Sequence, residues 1–295
     1  MEGMKFFSDR YEALGGKIVP LALKDSIRVN TLKTSHEKLI HRLNKNGVIL
    51  NEIPFVQNGY FVERSKFSLG AINEFLQGYY YIQEAAAQIP VEVLDPKPSE
   101  IILDACSAPG GKTTQIAQHM KNKGMVIALE KKPHRIISVK SNLERCGITN
   151  TVLFPADARE AHLSGMIFDK VLLDAPCSGN YVTDPSWFQK RTMEGINNSV
   201  QMQRELLKAV VAVTKKNGLI IYSTCSLEPE ENELNMAWAL KELPVKLEKI
   251  DLPIGDSGLT NVFGKELPKE ISYCRRFWPH KTNTQGFFIA KLRTW

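Results

Sequence analysis

Apolar and polar positions follow two regimes along the chain. From about residue 94 onward, short β-branched runs alternate with longer stretches of helical period. "EIILDAC", "MVIALE", "TVLFPAD", "KVLLDAPC", "LIIYSTC" and "GFFIAKL" are nearly continuous apolar runs, the pattern of strands buried on both faces. Between them lie "TTQIAQHMKN", "PHRIISVKSNLERCG", "INNSVQMQRELLKAVVAVTKKNG" and "EENELNMAWALKEL", which read as helices. The second opens on Pro133 and ends at Gly147, and the third is expected to stop at Gly218. Such alternation predicts a doubly wound α/β domain around a mostly parallel sheet, residues 94–295. The stretch "LDPKPSE" marks the boundary with a smaller N-terminal module, residues 1–93. There "SIRVNT" and "FVERS" read as strands and "SHEKLIHRLNKNG" as a helix, which makes it α+β.

Composition narrows the class. Of 295 residues 43% are hydrophobic and 24% charged, with a net charge of +6 and a pI of about 8.9. That permits an anionic partner without requiring one. Five cysteines, widely spaced and without a CxxC pair, argue against a disulfide framework or a zinc site, so no metal is expected and a reducing cytoplasm fits. No apolar run approaches the ~18 residues of a membrane span, and the first residues show no secretory leader. Between Lys17 and Lys45, seven Lys/Arg (17, 24, 28, 33, 38, 42 and 45) face only Asp25 and Glu37. A solvated helix face or a nucleic-acid surface explains that excess equally well.

In open parallel sheets, ligands bind beyond the carboxyl ends of the strands. The first strand ends in "DACSAPGGKTT", where Gly110 and Gly111 allow a tight turn and a helix then offers free N–H groups. "GGKTT" resembles the end of a phosphate-binding loop, but Cys106 stands where the first glycine of GxxxxGK[ST] belongs. A nucleoside-type cofactor is the better reading. It calls for an acid at the next strand end to hold ribose hydroxyls, and Glu130 is there. Asp157 ends the third strand, positioned either to accept from an adenine amino group or to cap a turn. The fourth ends in "LLDAPCSG" and the fifth in "STCS". Asp174 and two thiols, Cys177 and Cys225, therefore occupy strand tips. One such thiol is ordinary packing; two beside an aspartate and a cofactor loop point to a site.

"LDACSAPGGKT", "LLDAPCSG" and "YSTCSLEPEENE" together resemble the Nop/Sun family of RNA cytosine-5 methyltransferases, its archaeal-type tRNA enzymes most of all. "SIRVNTLK", "YYIQEAAAQIP" and "RRFWPHKTNTQGFFIAKL" match the family's pattern in order, from about Arg28 to Leu292. Ser107 stands where alanine is usual and Glu130 where aspartate is common.

The resemblance implies a Rossmann-like, seven-stranded methyltransferase fold, S-adenosylmethionine as cofactor and an RNA substrate. It implies tRNA first and rRNA second, methylated by a cytoplasmic monomer. It makes Cys225 the nucleophile that adds to carbon 6 of cytosine, and Cys177 the residue that assists elimination. Asp174 would bond the ring edge at nitrogen 3 and also face the cofactor's methionine end. Cys106, Ser107, Ala108, Pro109, Gly110, Gly111 and Lys112 would hold the cofactor, with Glu130 on the ribose, Arg135 near it and Asp157 at the adenine; Lys112 would serve the substrate side as an alternative. A helix starting near Pro229 would lower the Cys225 pKa. The basic stretch Lys17–Lys45 and the C-terminal segment from Lys265 would hold the RNA backbone. Two other readings stand against this one: a non-catalytic RNA-binding relative, and a DNA cytosine-5 methyltransferase, in which Cys177 would be the nucleophile.

Overall fold

The computed structural model describes residues 2–295. Its contacts divide the chain into two compact units. One comprises residues 24–160 and 168–172, the other residues 1–23, 161–167 and 173–295. This division does not coincide with a single cut at residue 94. The chain opens with helix α1, Glu2–Ala13, in the second of these units.

The first unit holds a four-stranded antiparallel sheet of β1 (Ser26–Val29), β2 (Ile49–Glu52), β3 (Gly59–Arg64) and β4 (Tyr80–Ile82), in the order β2-β3-β1-β4. Helix α2, His36–Lys45, starts where Ser35 accepts from the Lys38 N–H at 3.3 Å. Its Leu39 and Leu43, four residues apart, join Ile27, Val29, Val48 and Tyr80 in the core beneath the sheet. Sequence reading found β1, α2 and β3. It missed β2, β4 and helix α3 (Ala85–Leu94), whose short or alanine-rich stretches carry little periodicity.

The same unit continues as β5 (Ile101–Asp104), helix α4 (Gly111–His119), β6 (Met125–Leu129), helix α5 (Pro133–Cys146), β7 (Thr151–Phe154) and β8 (Phe168–Asp174). β5 pairs in parallel with β6 and β8, and β6 with β7. Helix α5 opens on Pro133 and closes at Gly147 with φ 72°, as its sequence predicts.

The second unit carries helix α6 (Met193–Ala212), β9 (Thr214–Thr224), helix α7 (Glu233–Glu242), β10 (Val245–Glu248), β11 (Asp256–Ser257), β12 (Arg275–Phe277) and β13 (Phe287–Thr294). Helix α6 ends at Ala212, short of the expected Gly218, because Thr214–Gly218 extend β9. Thr294 explains this: its hydroxyl donates to the Lys215 carbonyl at 2.5 Å and accepts from the Gly218 N–H at 3.0 Å. The sheet order is β11-β12-β13-β9-β8-β5-β6-β7, with β10 paired to β13, nine strands in all. The sheet thus has two strands more than the seven expected. The direction of progression reverses at β5 and β8, the switch that makes the fold doubly wound. Beyond β9 the pairing turns antiparallel. Among the described residues no helix is long and apolar enough to cross a membrane.

Candidate active site

The two thiols come together. Cys177 follows β8, Cys225 follows β9, and their sulfurs lie 3.2 Å apart without a disulfide. The contact with Cys225, burial and the nearby Glu231 carboxylate push the Cys177 thiol well above its ordinary value. Two thiols this close do not both ionise, and one proton between them can be donated from either sulfur. Asp174, at the tip of β8, accepts from the Ser223 hydroxyl at 2.7 Å. Ser223 precedes Cys225 by two residues on β9, so one strand end orients the carboxylate and presents a thiol. Asn180 fixes the Cys225 peptide, its amide donating to the Cys225 carbonyl at 2.8 Å.

The expected helix near Pro229 is not there. Helix α7 begins at Glu233, eight residues after Cys225, and a helix dipole acts only within about one turn of its end. Residues 228–233 form a buried polar knot instead, in which Glu228, Glu231 and Glu233 are all fully buried. Glu231 accepts from the Ser178 N–H (2.9 Å), the Ser178 hydroxyl (2.5 Å) and the Gln203 amide (3.0 Å). It thereby clamps the Cys177 loop to the segment that follows Cys225. Glu233 pairs with buried Arg276, whose Nε donates to Oε1 at 2.7 Å. Glu228 accepts from the Tyr11 hydroxyl at 2.7 Å and pairs with Arg10 of helix α1 at 3.1 Å; burial pushes it up to about 7. Trp187, fully buried, donates its indole N–H to the Ser178 carbonyl at 2.8 Å. Sequence reading took this acidic run for a helix start; the spacing of Ser178, Gln203 and Arg276 gave no sign of partners so far away.

In the other unit, the residues from Cys106 to Lys112 form the turn between β5 and α4. Gly110 has φ 103°, open to glycine but not to other side chains without strain. A Cβ on Gly111 would meet the Tyr81 ring at 3.1 Å. Ser107 donates its N–H (2.9 Å) and hydroxyl (3.0 Å) to the Leu129 carbonyl, tying the turn to the end of β6. Thr113 donates to buried Asp104 at 2.6 Å. Ala108 accepts from Arg135 at 3.0 Å, and Arg135 pairs with Glu130 at 3.2 Å. Glu130 is buried and also accepts from the Lys132 N–H at 2.9 Å. The turn, the α4 N-terminus and a buried acid one strand over fit a nucleoside cofactor. Asp157 has partners of its own within the protein. Its carboxylate accepts from the Arg159 N–H and guanidinium (3.0 and 2.7 Å) and pairs with Lys131 at 3.3 Å, which holds it well below the usual carboxylate range. It caps the turn at Ala158, the second of the two roles its sequence position allowed.

The basic stretches are less free than their sequence suggests. Arg28 is buried, Lys24 pairs with Glu63, Arg42 with Glu74, and Lys33 donates to the carbonyls of Gln77 and Arg145. Lys38 and Lys45 stay exposed. In the C-terminal segment Arg275 donates to the Ile250 carbonyl, Arg276 pairs with Glu233, Lys281 with Asp256, and Lys291 and Arg293 with Glu248. That excess of charge serves mainly to hold the fold.

The family model for 16S rRNA methyltransferase RsmB/F matches residues 91–293, and the N-terminal domain model of RsmF matches residues 5–85. A mouse 28S rRNA (cytosine-C(5))-methyltransferase is 39% identical over 97% of this chain and 37% of its own length. The chain belongs to the RsmB/F (Nop/Sun) family of RNA cytosine-5 methyltransferases. A Pyrococcus horikoshii tRNA (cytosine(72)-C(5))-methyltransferase is 38% identical over 77% of this chain and 56% of its own. Among solved structures, a methyltransferase homologue from P. horikoshii superposes with a TM-score of 0.88 at 40% identity, covering 99% of this chain and 95% of that one. NSun6 from P. horikoshii with SFG gives 0.82 at 29% identity, covering 93% and 91%. The chain spans little more than half, or less, of the curated relatives' length. The RsmB/F match supplies the family, and the superposition its fold.

Proposed function

We propose that this chain methylates carbon 5 of cytosine in RNA, with S-adenosylmethionine as the methyl donor. The observation that carries the reading is the Cys177–Cys225 contact at 3.2 Å, beside a serine-oriented aspartate. Carbon 5 of cytosine is a weak nucleophile. Addition of the Cys225 thiolate to carbon 6 makes carbon 5 enamine-like and able to accept a methyl group. S-adenosylmethionine, when bound, supplies that methyl as a sulfonium electrophile. Asp174 hydrogen-bonds nitrogen 3 and stabilises the ring as charge builds there. Loss of the carbon 5 proton then expels Cys225 and restores the aromatic product, a step that Cys177 assists. Residues 106–112, Glu130 and Arg135 hold the cofactor, with Lys112 alternatively serving the substrate side and Asp157 closing the turn at the adenine end. The solved NSun6 neighbour with SFG, an S-adenosylmethionine analogue, supports that cofactor.

Residues 1–93 act as the RNA-binding module, with Lys38 and Lys45 as phosphate contacts that position without reading sequence. The separate N-terminal family match over residues 5–85 supports this boundary. tRNA is the first substrate to test, supported by the P. horikoshii tRNA relative; rRNA is the second, supported by the mouse relative and the RsmB/F model. Incubating the chain with methyl-labelled S-adenosylmethionine and either bulk tRNA or bulk rRNA, then mapping the label, tests both. Label on carbon 5 of cytosine in either pool supports the reaction, and the pool labelled names the substrate. No label in either, with the cofactor bound, sinks the proposal.

A further inference from the structure

The stretches "SIRVNTLK" and "YYIQEAAAQIP" place Arg28 on β1 and Tyr81 on β4, where they are cross-strand partners. Directly opposite residues of an antiparallel pair share one face. From that face both reach the cofactor turn. The Tyr81 hydroxyl lies 3.5 Å from the Pro109 carbonyl and accepts from Asn142 at 3.2 Å; Asn142 itself donates to the Pro109 carbonyl at 2.9 Å. Arg28 grips the other end. Its Nη1 donates to the Gly111 carbonyl at 2.9 Å and to Gln83, its Nη2 to the Thr114 hydroxyl at 2.7 Å, and its Nε to Gln118 at 3.3 Å.

The chemistry of this arginine is unusual. It is 2% exposed, yet every acceptor it meets is neutral, and among the described residues no carboxylate lies within ion-pair distance of it. Burial pushes its pKa down to about 10, so it remains charged at neutral pH. It sits on the first turn of α4, where the helix dipole is already positive. The Glu92 carboxylate offsets part of the cost of burying this cation, and a further anion near the helix end would offset more. A neutral Gln or Met of similar reach would pack there at lower cost if only a strut were needed.

We propose that Arg28 is an electrostatic positioning residue that tunes the Gly110–Gly111 turn for a ligand carboxylate, and so selects the amino-acid end of the cofactor. This rests on the S-adenosylmethionine reading above. Isothermal titration calorimetry on the full chain tests it, with S-adenosylmethionine and its decarboxylated analogue, which keeps the sulfonium and adenosine. Wild type should prefer the carboxylate-bearing ligand. Arg28→Gln should bind S-adenosylmethionine roughly tenfold more weakly, the order of one partly screened unit charge. Its affinity for the decarboxylated analogue, whose ammonium and sulfonium Arg28 repels, should not fall. Arg28→Lys, which loses the fork but keeps the charge, should retain the preference. Gln118→Glu, which sets a carboxylate against Arg28, should reduce it and serves if Arg28→Gln does not fold. Equal losses for both ligands in Arg28→Gln, or an unchanged preference in Gln118→Glu, overturn the charge role and leave Arg28 a strut. Wild-type protein that binds neither ligand overturns the cofactor reading instead.

Discussion

The two regions differ in how their buried charges are partnered. The thiol loops are held by buried carboxylates: Glu231 on Ser178 and Gln203, Glu233 on Arg276, Glu228 on Tyr11 and Arg10. The cofactor turn is held by a buried cation and neutral amides, Arg28 with Gln83 and Gln118. Each choice suits what the region handles. The Cys225 contact, burial and the nearby Glu231 carboxylate together raise the Cys177 thiol. Positive charge at the turn favours an anionic ligand group. Polar groups that rigidify a site also set its electrostatics, so scaffold and chemistry share residues.

The largest expected effect separates the two thiols. Cys225→Ala should lower turnover by about 10⁴-fold or more, as removal of a nucleophile does, and leave no adduct on a denaturing gel. Cys177→Ala should still attack and methylate but stall in elimination, accumulating a denaturant-resistant protein–RNA complex. A complex from Cys225→Ala alone would exchange the roles and point to the DNA-type mechanism. The next effect tests the carboxylate side as scaffold. Arg276→Met leaves Glu233 buried without its cation and should cost about 3–5 kcal/mol in urea unfolding; a loss below about 1 kcal/mol would mean the pair is dispensable.

On the cofactor side, Glu130→Ala should weaken S-adenosylmethionine binding by about 1–3 kcal/mol in calorimetry, the worth of charge-assisted hydrogen bonds. Unchanged binding would remove Glu130 from the site. The smallest effect is a pH dependence. Glu228 has its folded pKa raised from 4.5 to about 7, so the native state binds more protons than the unfolded chain across that window. Its contribution is fully present below pH 4.5 and is lost as pH rises through 7, by about 1–3 kcal/mol. Glu228→Gln should flatten that decline in urea unfolding at pH 5 and pH 8. An identical slope in the mutant would assign the titration to another group.

Much of this was legible in the chain, for a physical reason. Buried parallel strands write themselves as β-branched runs, and their tips locate Asp174, Cys177, Cys225 and the Gly110–Gly111 turn without any tertiary information. Buried charge is different. Glu231 meets Ser178 across 53 positions, Glu233 meets Arg276 across 43, and Arg28 meets Gly111 across 83. No local period encodes such partners, so Glu228, Glu231 and Glu233 read as a helix start and Arg28 as part of an RNA-facing stretch. The same blindness applies to the C-terminal arginines and lysines, whose acids lie elsewhere in the chain. Asp157 was ambiguous because a turn cap and a ligand contact ask for the same residue at the same place.

Trp187 gives the thiol loop an optical reporter. Its indole is fully out of water and bonded to the carbonyl of the residue after Cys177, while Trp295 is 66% exposed. Trp278 is buried as well, so Trp278→Phe leaves Trp187 as the fully buried, blue-shifted emitter. Sulfur is an efficient quencher of indole emission, so alkylation or consumption of the neighbouring thiol changes the buried component first. The progress of an adduct through formation and release is thus readable by stopped-flow fluorescence, with no label attached to protein or RNA.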